Sequence, residues 1–210
     1  LSIDTRGVAR LTLDRADKRN ALCGVMIEEL TSVAAMLGAM EDVRAVVLAA
    51  AGPVFCAGGD LNWMKAQIEA DRAGRMEAAR RLAHMLRAFN EMPKPLIGRV
   101  HGDAFGGGVG MMCVCDVAVA AQGTRFALPE TRLGLIPATI GPYVVARLGE
   151  GPARRVFMSS RVFDAEEARD PGLVAETAAP DATDAALGKH VAPYPAWTPG
   201  AVGRASAAAR

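Results

Sequence analysis

The chain has 210 residues, 51% of them hydrophobic and 22% charged, and 24 Lys+Arg against 23 Asp+Glu leave a net charge of +1. This composition supports a substantial core of one large or two small domains and excludes intrinsic disorder. The near-neutral balance gives no electrostatic reason to expect a nucleic acid or an anionic membrane as partner.

In chain order, Ile3 to Thr5, a turn at Arg6-Gly7 and the alternating run Val8 to Leu13 predict a β-hairpin. After a polar loop, Leu22, Val25, Met26, Leu30, Val33, Leu37 and Met40 recur at three- and four-residue spacing, predicting an amphipathic helix. Arg44 to Ala49 is a short apolar run, as expected of a strand buried on both faces. A helix is expected from Asp60, with that residue as its cap. A longer one is expected from about Arg75 to Met92, its stripe formed by Met76, Ala79, Leu82, Met85, Leu86, Phe89 and Met92. Leu96 to Val100 and Asp116 to Ala120 read as strands on either side of a glycine cluster and a small-residue helix. Short helices are expected after Pro129, near Pro142 and Pro152, where proline suits a first turn. A last helix is expected from Thr198-Pro199. Strands alternating with helices argue for an α/β domain with a largely parallel sheet.

No apolar run reaches the ~18–20 residues of a bilayer span. The opening Leu1-Ser2-Ile3-Asp4 has no basic-then-apolar leader, so no secretory signal is expected, and the absent initiator Met suggests part of a longer product. Cys23, Cys56, Cys113 and Cys115 contain no C-x-x-C pair, and His84, His101 and His190 do not cluster with them. Reduced thiols, no metal and a cytoplasmic location are therefore expected.

The nucleophile elbow, the zinc-protease motif and the phosphate loop are absent. A dinucleotide fingerprint also fails: from Gly106 its third glycine would be Met111, and from Gly108 it would be Cys113. Two glycine-rich junctions remain, Val54 to Leu61 and Gly102 to Gly110. Each can present unpaired backbone N–H groups to an anionic atom, and two facing each other would supply paired donors to one developing oxyanion. The same glycines could equally serve only tight turns and close packing.

The segments FCAGGDL (Phe55 to Leu61), HGDAFGGGVG (His101 to Gly110), CDVAVA (Cys115 to Ala120) and LPETRLGLIPATIG (Leu128 to Gly141), with DRADKRNAL (Asp14 to Leu22), resemble the crotonase superfamily of enoyl-CoA hydratases and isomerases. The resemblance implies an α/β, crotonase-like ββα spiral core over residues 1–177. Residues 178–210 would begin a C-terminal helical trimerisation region, which is partly missing. It also implies an acyl-CoA thioester substrate and a homotrimer or dimer of trimers, with coenzyme A as part of the substrate and no separate cofactor. By position, Gly59 and Gly107 would supply the oxyanion-hole amides. Gly59, Asp60, Leu61 and Asn62 would line the acyl-CoA site, and Ala21, Leu22 and Ala57 would hold the adenine end.

Hydratases of this superfamily typically carry two glutamates. Here the first position is Gly110 and the second is Glu130. FCAGGDLNWM (Phe55 to Met64), AFGGGVG (Ala104 to Gly110) and IPATIGPYVVARLG (Ile136 to Gly149) resemble the bacterial methylglutaconyl-CoA hydratase-like branch, in which glycine likewise takes the first position. The expected activity is hydration of an enoyl-CoA, branched or methylglutaconyl-type among the candidates, with Glu130 as the catalytic group. The alternatives are double-bond isomerisation by the same glutamate and a non-catalytic CoA-ester binder. Trp63 and Met64 are expected in packing or in the acyl-pocket wall, Asp103 in a turn, and His84 on a solvated face. His101, next to the glycine cluster, is a minor catalytic candidate.

Overall fold

The computed structural model describes residues 1–209, so the last residue of the expected 178–210 segment lies outside the described residues. Strands β1 (Ser2–Ile3) and β2 (Val8–Leu13) form the expected antiparallel hairpin. Its turn is held by Asp4, whose Oδ1 accepts from the N–H of Arg6 at 2.9 Å and of Val8 at 3.0 Å. The chain then runs through α1 (Gly24–Ala39), β3 (Ala45–Ala50), α2 (Leu61–Glu69), α3 (Arg72–Asn90), β4 (Leu96–Val100), β5 (Ala104–Phe105), α4 (Gly107–Cys113) and β6 (Val117–Ala121). It continues through β7 (Arg125–Ala127), α5 (Gly141–Leu148), α6 (Glu150–Ser159), β8 (Phe163–Asp164), β9 (Glu176–Ala178), α7 (Thr183–Val191) and α8 (Pro199–Ala208).

The main sheet has the order β1-β2-β3-β4-β6-β9, and every pairing after the hairpin is parallel. Side-chain alternation divides it into two faces. Ala9, Leu11, Leu13, Val46, Leu48, Leu96, Val100, Ala118 and Ala120 join the larger core with α1 and α3. Val8, Ala45, Val47, Ile97 and Val119 form the opposite face, covered by Ala186, Leu187 and Val191 of α7. The Arg44 to Ala49 run is thus the doubly buried strand expected, with all six residues of β3 buried.

Three details differ from the sequence reading. Helix α1 starts at Gly24 and buries Met26, Ile27, Leu30, Ala34 and Leu37, while Val25 is exposed, and Leu22 belongs to the preceding bridge rather than to the helix. Helix α3 starts earlier, at Arg72, because Asp71 caps it by accepting from the N–H of Gly74 at 2.8 Å. Strand β9 pairs at the edge of the main sheet, and the α7 that follows packs on that sheet. A small second sheet, β5-β7-β8, had no counterpart in the sequence reading. Among the described residues no helix is long and apolar enough to cross a membrane.

Candidate active site

Backbone bonds lay three chain segments side by side. The N–H of Leu22 donates to the Gly58 carbonyl at 2.7 Å, that of Asp60 to the Leu22 carbonyl at 2.9 Å, and that of Ala57 to the Arg19 carbonyl at 3.0 Å. On the other side, the N–H groups of Phe55 and Cys56 donate to the Asp103 carbonyl at 3.1 and 3.2 Å. That of Phe105 returns to the Cys56 carbonyl at 2.9 Å. Asp103 is more than a turn residue, since its carboxylate accepts from the Arg125 backbone N–H at 2.9 Å and from Nη2 at 2.6 Å.

This seam brings the two glycine junctions together. Gly58 has φ +91°, and a Cβ there would lie 2.9 Å from the Phe105 carbonyl oxygen and 3.5 Å from the Gly107 nitrogen. Only glycine permits that conformation and approach at low cost. In the Leu22–Gly59 bridge, Leu22 makes both hydrogen bonds and the Gly59 N–H is turned away from them. Gly107 is the first residue of α4, so its N–H has no partner within the helix. Among the described residues, neither amide meets a protein acceptor.

Gly59 and Gly107 line one cavity of about 410 Å³ together with Leu22, Trp63, Met64, Leu82, Glu130 and the loop Leu135 to Ile140. Its walls are predominantly apolar, and Glu130 is the only carboxylate among the described lining residues. Glu130 sits in a 3-10 turn, Pro129–Leu133, that begins with proline and closes at Gly134 in the left-handed region. The turn is anchored to the end of α6 by Thr131, whose hydroxyl meets Ser160 Oγ and donates to the Phe157 carbonyl at 3.3 Å. Oε2 of Glu130 is buried and meets no hydrogen-bond partner among the described residues. Burial raises the pKa of its carboxyl above the ordinary value, partly opposed by its own backbone N–H. A partly desolvated carboxyl in a cleft, near two unpaired amides, can accept a proton and return it.

The other sequence-predicted residues divide. Leu22, Trp63 and Met64 line the cavity; Ala21 and Ala57 lie in the seam but not on its lining. Asp60, Leu61 and Asn62 do not line this cavity either. Asp60 is committed elsewhere. Its Oδ1 accepts from the N–H of Asn62 at 2.9 Å and of Trp63 at 3.0 Å, capping α2, and Arg15 Nη1 donates to Oδ2 at 2.7 Å. Arg15, seconded by the Trp63 N–H, holds this carboxyl below its ordinary pKa. Leu61 and Asn62 open α2 facing solvent. His101 is not on the cavity; its Nε2 lies 2.7 Å from the Gly52 carbonyl oxygen. His84 is exposed.

The sequence reading missed Gln67, Ile68, Arg75 and Ala78 and the loop Leu135 to Ile140 as cavity wall. Part of the signal was present, because Ala79 and Leu82 belong to the predicted α3 stripe. They face the cavity, however, while Met76 is about half exposed and Met85, Leu86, Phe89 and Met92 are buried. Another cavity of about 650 Å³, between Pro95, Asp116, Trp197 and Val202, contains none of the predicted residues. Among the described residues no group of three or more His, Cys, Asp or Glu is arranged to hold a metal ion.

A parallel sheet flanked by helices, with two glycine turns meeting beside one half-buried glutamate, defines a fold of crotonase type. The chain belongs to the enoyl-CoA hydratase/isomerase family, whose model matches residues 4–192. It is 33% identical over 168 residues to the enoyl-CoA hydratase ACTT6 of Alternaria alternata, a match covering 80% of this chain and 54% of that protein. It is 30% identical over 176 residues to the mitochondrial methylglutaconyl-CoA hydratase of Mus musculus, covering 83% of this chain and 55% of that one. The chain thus spans about half the length of these curated relatives. Among solved structures, an enoyl-CoA hydratase from Shewanella pealeana superposes with a TM-score of 0.94 at 35% identity, covering 98% of this chain and 77% of that one.

Proposed function

We propose that the chain hydrates a 2-enoyl-CoA thioester. The thioester oxygen accepts from the N–H groups of Gly59 and Gly107, which polarise the conjugated system. Glu130 takes a proton from a water molecule as its oxygen bonds to C3. The C2–C3 π pair moves toward the thioester oxygen, giving an enolate-like state that the two amides stabilise. The proton on Glu130 then passes to C2, so one water is added and the carboxylate is regenerated. In other enzymes, loss of one such donor costs about 3–4 kcal/mol of barrier. This addition is acid–base chemistry alone and requires no metal or redox cofactor.

The observation that carries this reading is the shared cavity of Gly59, Gly107 and Glu130, with both amides unsatisfied and the carboxyl partly desolvated. The kinship with proteins named enoyl-CoA hydratases supports it, and the mouse relative's name favours methylglutaconyl-CoA as one substrate to try. The test is incubation with crotonyl-, tiglyl- and methylglutaconyl-CoA while following the conjugated absorbance. Loss of absorbance with one of them is expected, and Glu130→Gln should slow it by about 10²–10⁴-fold while ligand affinity is kept.

A second reading has its own observation. With one carboxylate on the cavity, Glu130 could take a proton from C2 of a 3-enoyl-CoA and return it at C4, an isomerisation that needs no water. Conversion of a 3-enoyl-CoA without hydration of any 2-enoyl-CoA would select it. Binding of acyl-CoA with neither reaction would leave a non-catalytic binder. The trimer or dimer of trimers belongs to the same proposal. Leu133, Ile136 and Met158, which are 60%, 74% and 72% exposed on adjoining segments, would be covered by such an assembly, and light scattering would measure its mass.

A further inference from the structure

Gly110 and Ile140 compete for one space. A Cβ on Gly110 would lie 2.6 Å from Cγ2 of Ile140 and 3.0 Å from its Cβ, far inside van der Waals contact. Ile140 is 4% exposed and part of the cavity lining. It cannot easily give way, because it is the N-cap of α5, where the Val144 N–H donates to its carbonyl at 3.1 Å. The turn before it is closed by the Gly141 N–H donating to the Pro137 carbonyl at 2.7 Å. A β-branched side chain is also stiff about χ1. Gly110 follows Gly107 by three residues on α4, on the same face and about 4.5 Å further along the axis.

In the proposed pose the thioester oxygen is held at Gly107, and C2 is bonded to the carbon carrying that oxygen. The Ile140 side chain over Gly110 therefore walls the region that a substituent on C2 enters first. We propose that Ile140 is a specificity-determining residue that admits enoyl thioesters unbranched at C2 in preference to those carrying a methyl group there. It does so by filling the volume that a side chain at position 110 would otherwise occupy. The inference rests on the acyl-CoA pose of the hydration reading, but selectivity in binding can be measured without turnover.

The experiment uses the full chain as wild type, Ile140→Val, Ile140→Ala, Gly110→Ala and the Gly110→Ala/Ile140→Ala double variant. Affinities for butyryl-CoA and 2-methylbutyryl-CoA are measured by calorimetry, kcat/KM for crotonyl-CoA and tiglyl-CoA by absorbance, and folding by thermal melts. Ile140→Ala should raise the branched-to-unbranched ratio about tenfold in both assays, with Ile140→Val between it and the wild type. Gly110→Ala should lower the melting temperature, and the double variant should recover most of the loss. A folded Ile140→Ala with a ratio within twofold of wild type overturns the proposal; if that variant does not fold, an unchanged ratio in Ile140→Val overturns it. A shifted binding ratio without turnover of crotonyl-, tiglyl- or methylglutaconyl-CoA upholds the role of Ile140 and sinks the hydration reading instead.

Discussion

Gly106 and Glu130 meet across two loops: Gly106 has φ +49°, and a Cβ there would lie 3.0 Å from Oε1 of Glu130. The residue before the second proposed oxyanion amide therefore also fixes how close the carboxyl can come. Gly106→Ala should cost about 1–3 kcal/mol in stability from the left-handed backbone and at least about tenfold in crotonyl-CoA turnover from displacement of the carboxyl. A melt and an initial-rate assay read the two effects separately.

Burial raises the Glu130 pKa, and the sign of the consequence is definite. The protonated form is favoured by the fold, so this group's contribution to stability is present below the ordinary carboxyl value of about 4.3 and is lost as pH rises through the raised value. Glu130→Gln, which cannot ionise, should be at least as stable as wild type at neutral pH, with the two melting temperatures converging in acid. The ascending limb of kcat/KM against pH should likewise lie above the ordinary carboxyl range.

Asp60 behaves oppositely, because Arg15 and the first turn of α2 favour its ionised form. Its contribution is present above about pH 4 and is lost as pH falls through the depressed value. Asp60→Ala should cost about 1–2 kcal/mol at neutral pH through the lost cap, and the difference should shrink as pH falls below the ordinary carboxyl range. Chemical denaturation at several pH values checks this.

Of the four cysteines, Cys56, Cys113 and Cys115 are buried and Cys23 is half-buried. Burial pushes the Cys56 thiol up to about 11 and the Cys113 thiol up to about 12, and raises Cys115 as well. A thiol reagent at mildly alkaline pH should therefore modify Cys23 in the native protein and all four cysteines only after unfolding. Rapid reaction of two or more native thiols would contradict the packing around α4.

What was legible in the sequence follows from how local each signal is. The doubly buried β3, the Leu96 to Val100 strand and the Asp60 cap are written in short-range patterns and appear as read. The meeting of Gly59, Gly107 and Glu130 is set by backbone bonds among segments far apart in the chain. No periodicity encodes those bonds, so motif resemblance alone pointed to them. Asp60 shows the contrast within one side chain: its cap of α2 is a local signal, whereas its bond to Arg15, 45 residues away, has no local signature. The Ile140 wall was invisible because glycine at 110 announces free space, not the neighbour that fills it. The role of α7 was missed because its apolar residues are few and its partner surface lies on strands distributed from Val8 to Val119.

That small helix bears on how the gene could be trimmed. Ala186, Leu187 and Val191 are the lid over Val8, Ala45, Val47, Ile97 and Val119, so a fragment cut before Thr183 would present a greasy sheet surface to water while keeping every cavity residue. Such a fragment would be expected to precipitate or self-associate on expression, and the shortest recombinant piece that stays dispersed should extend through Val191.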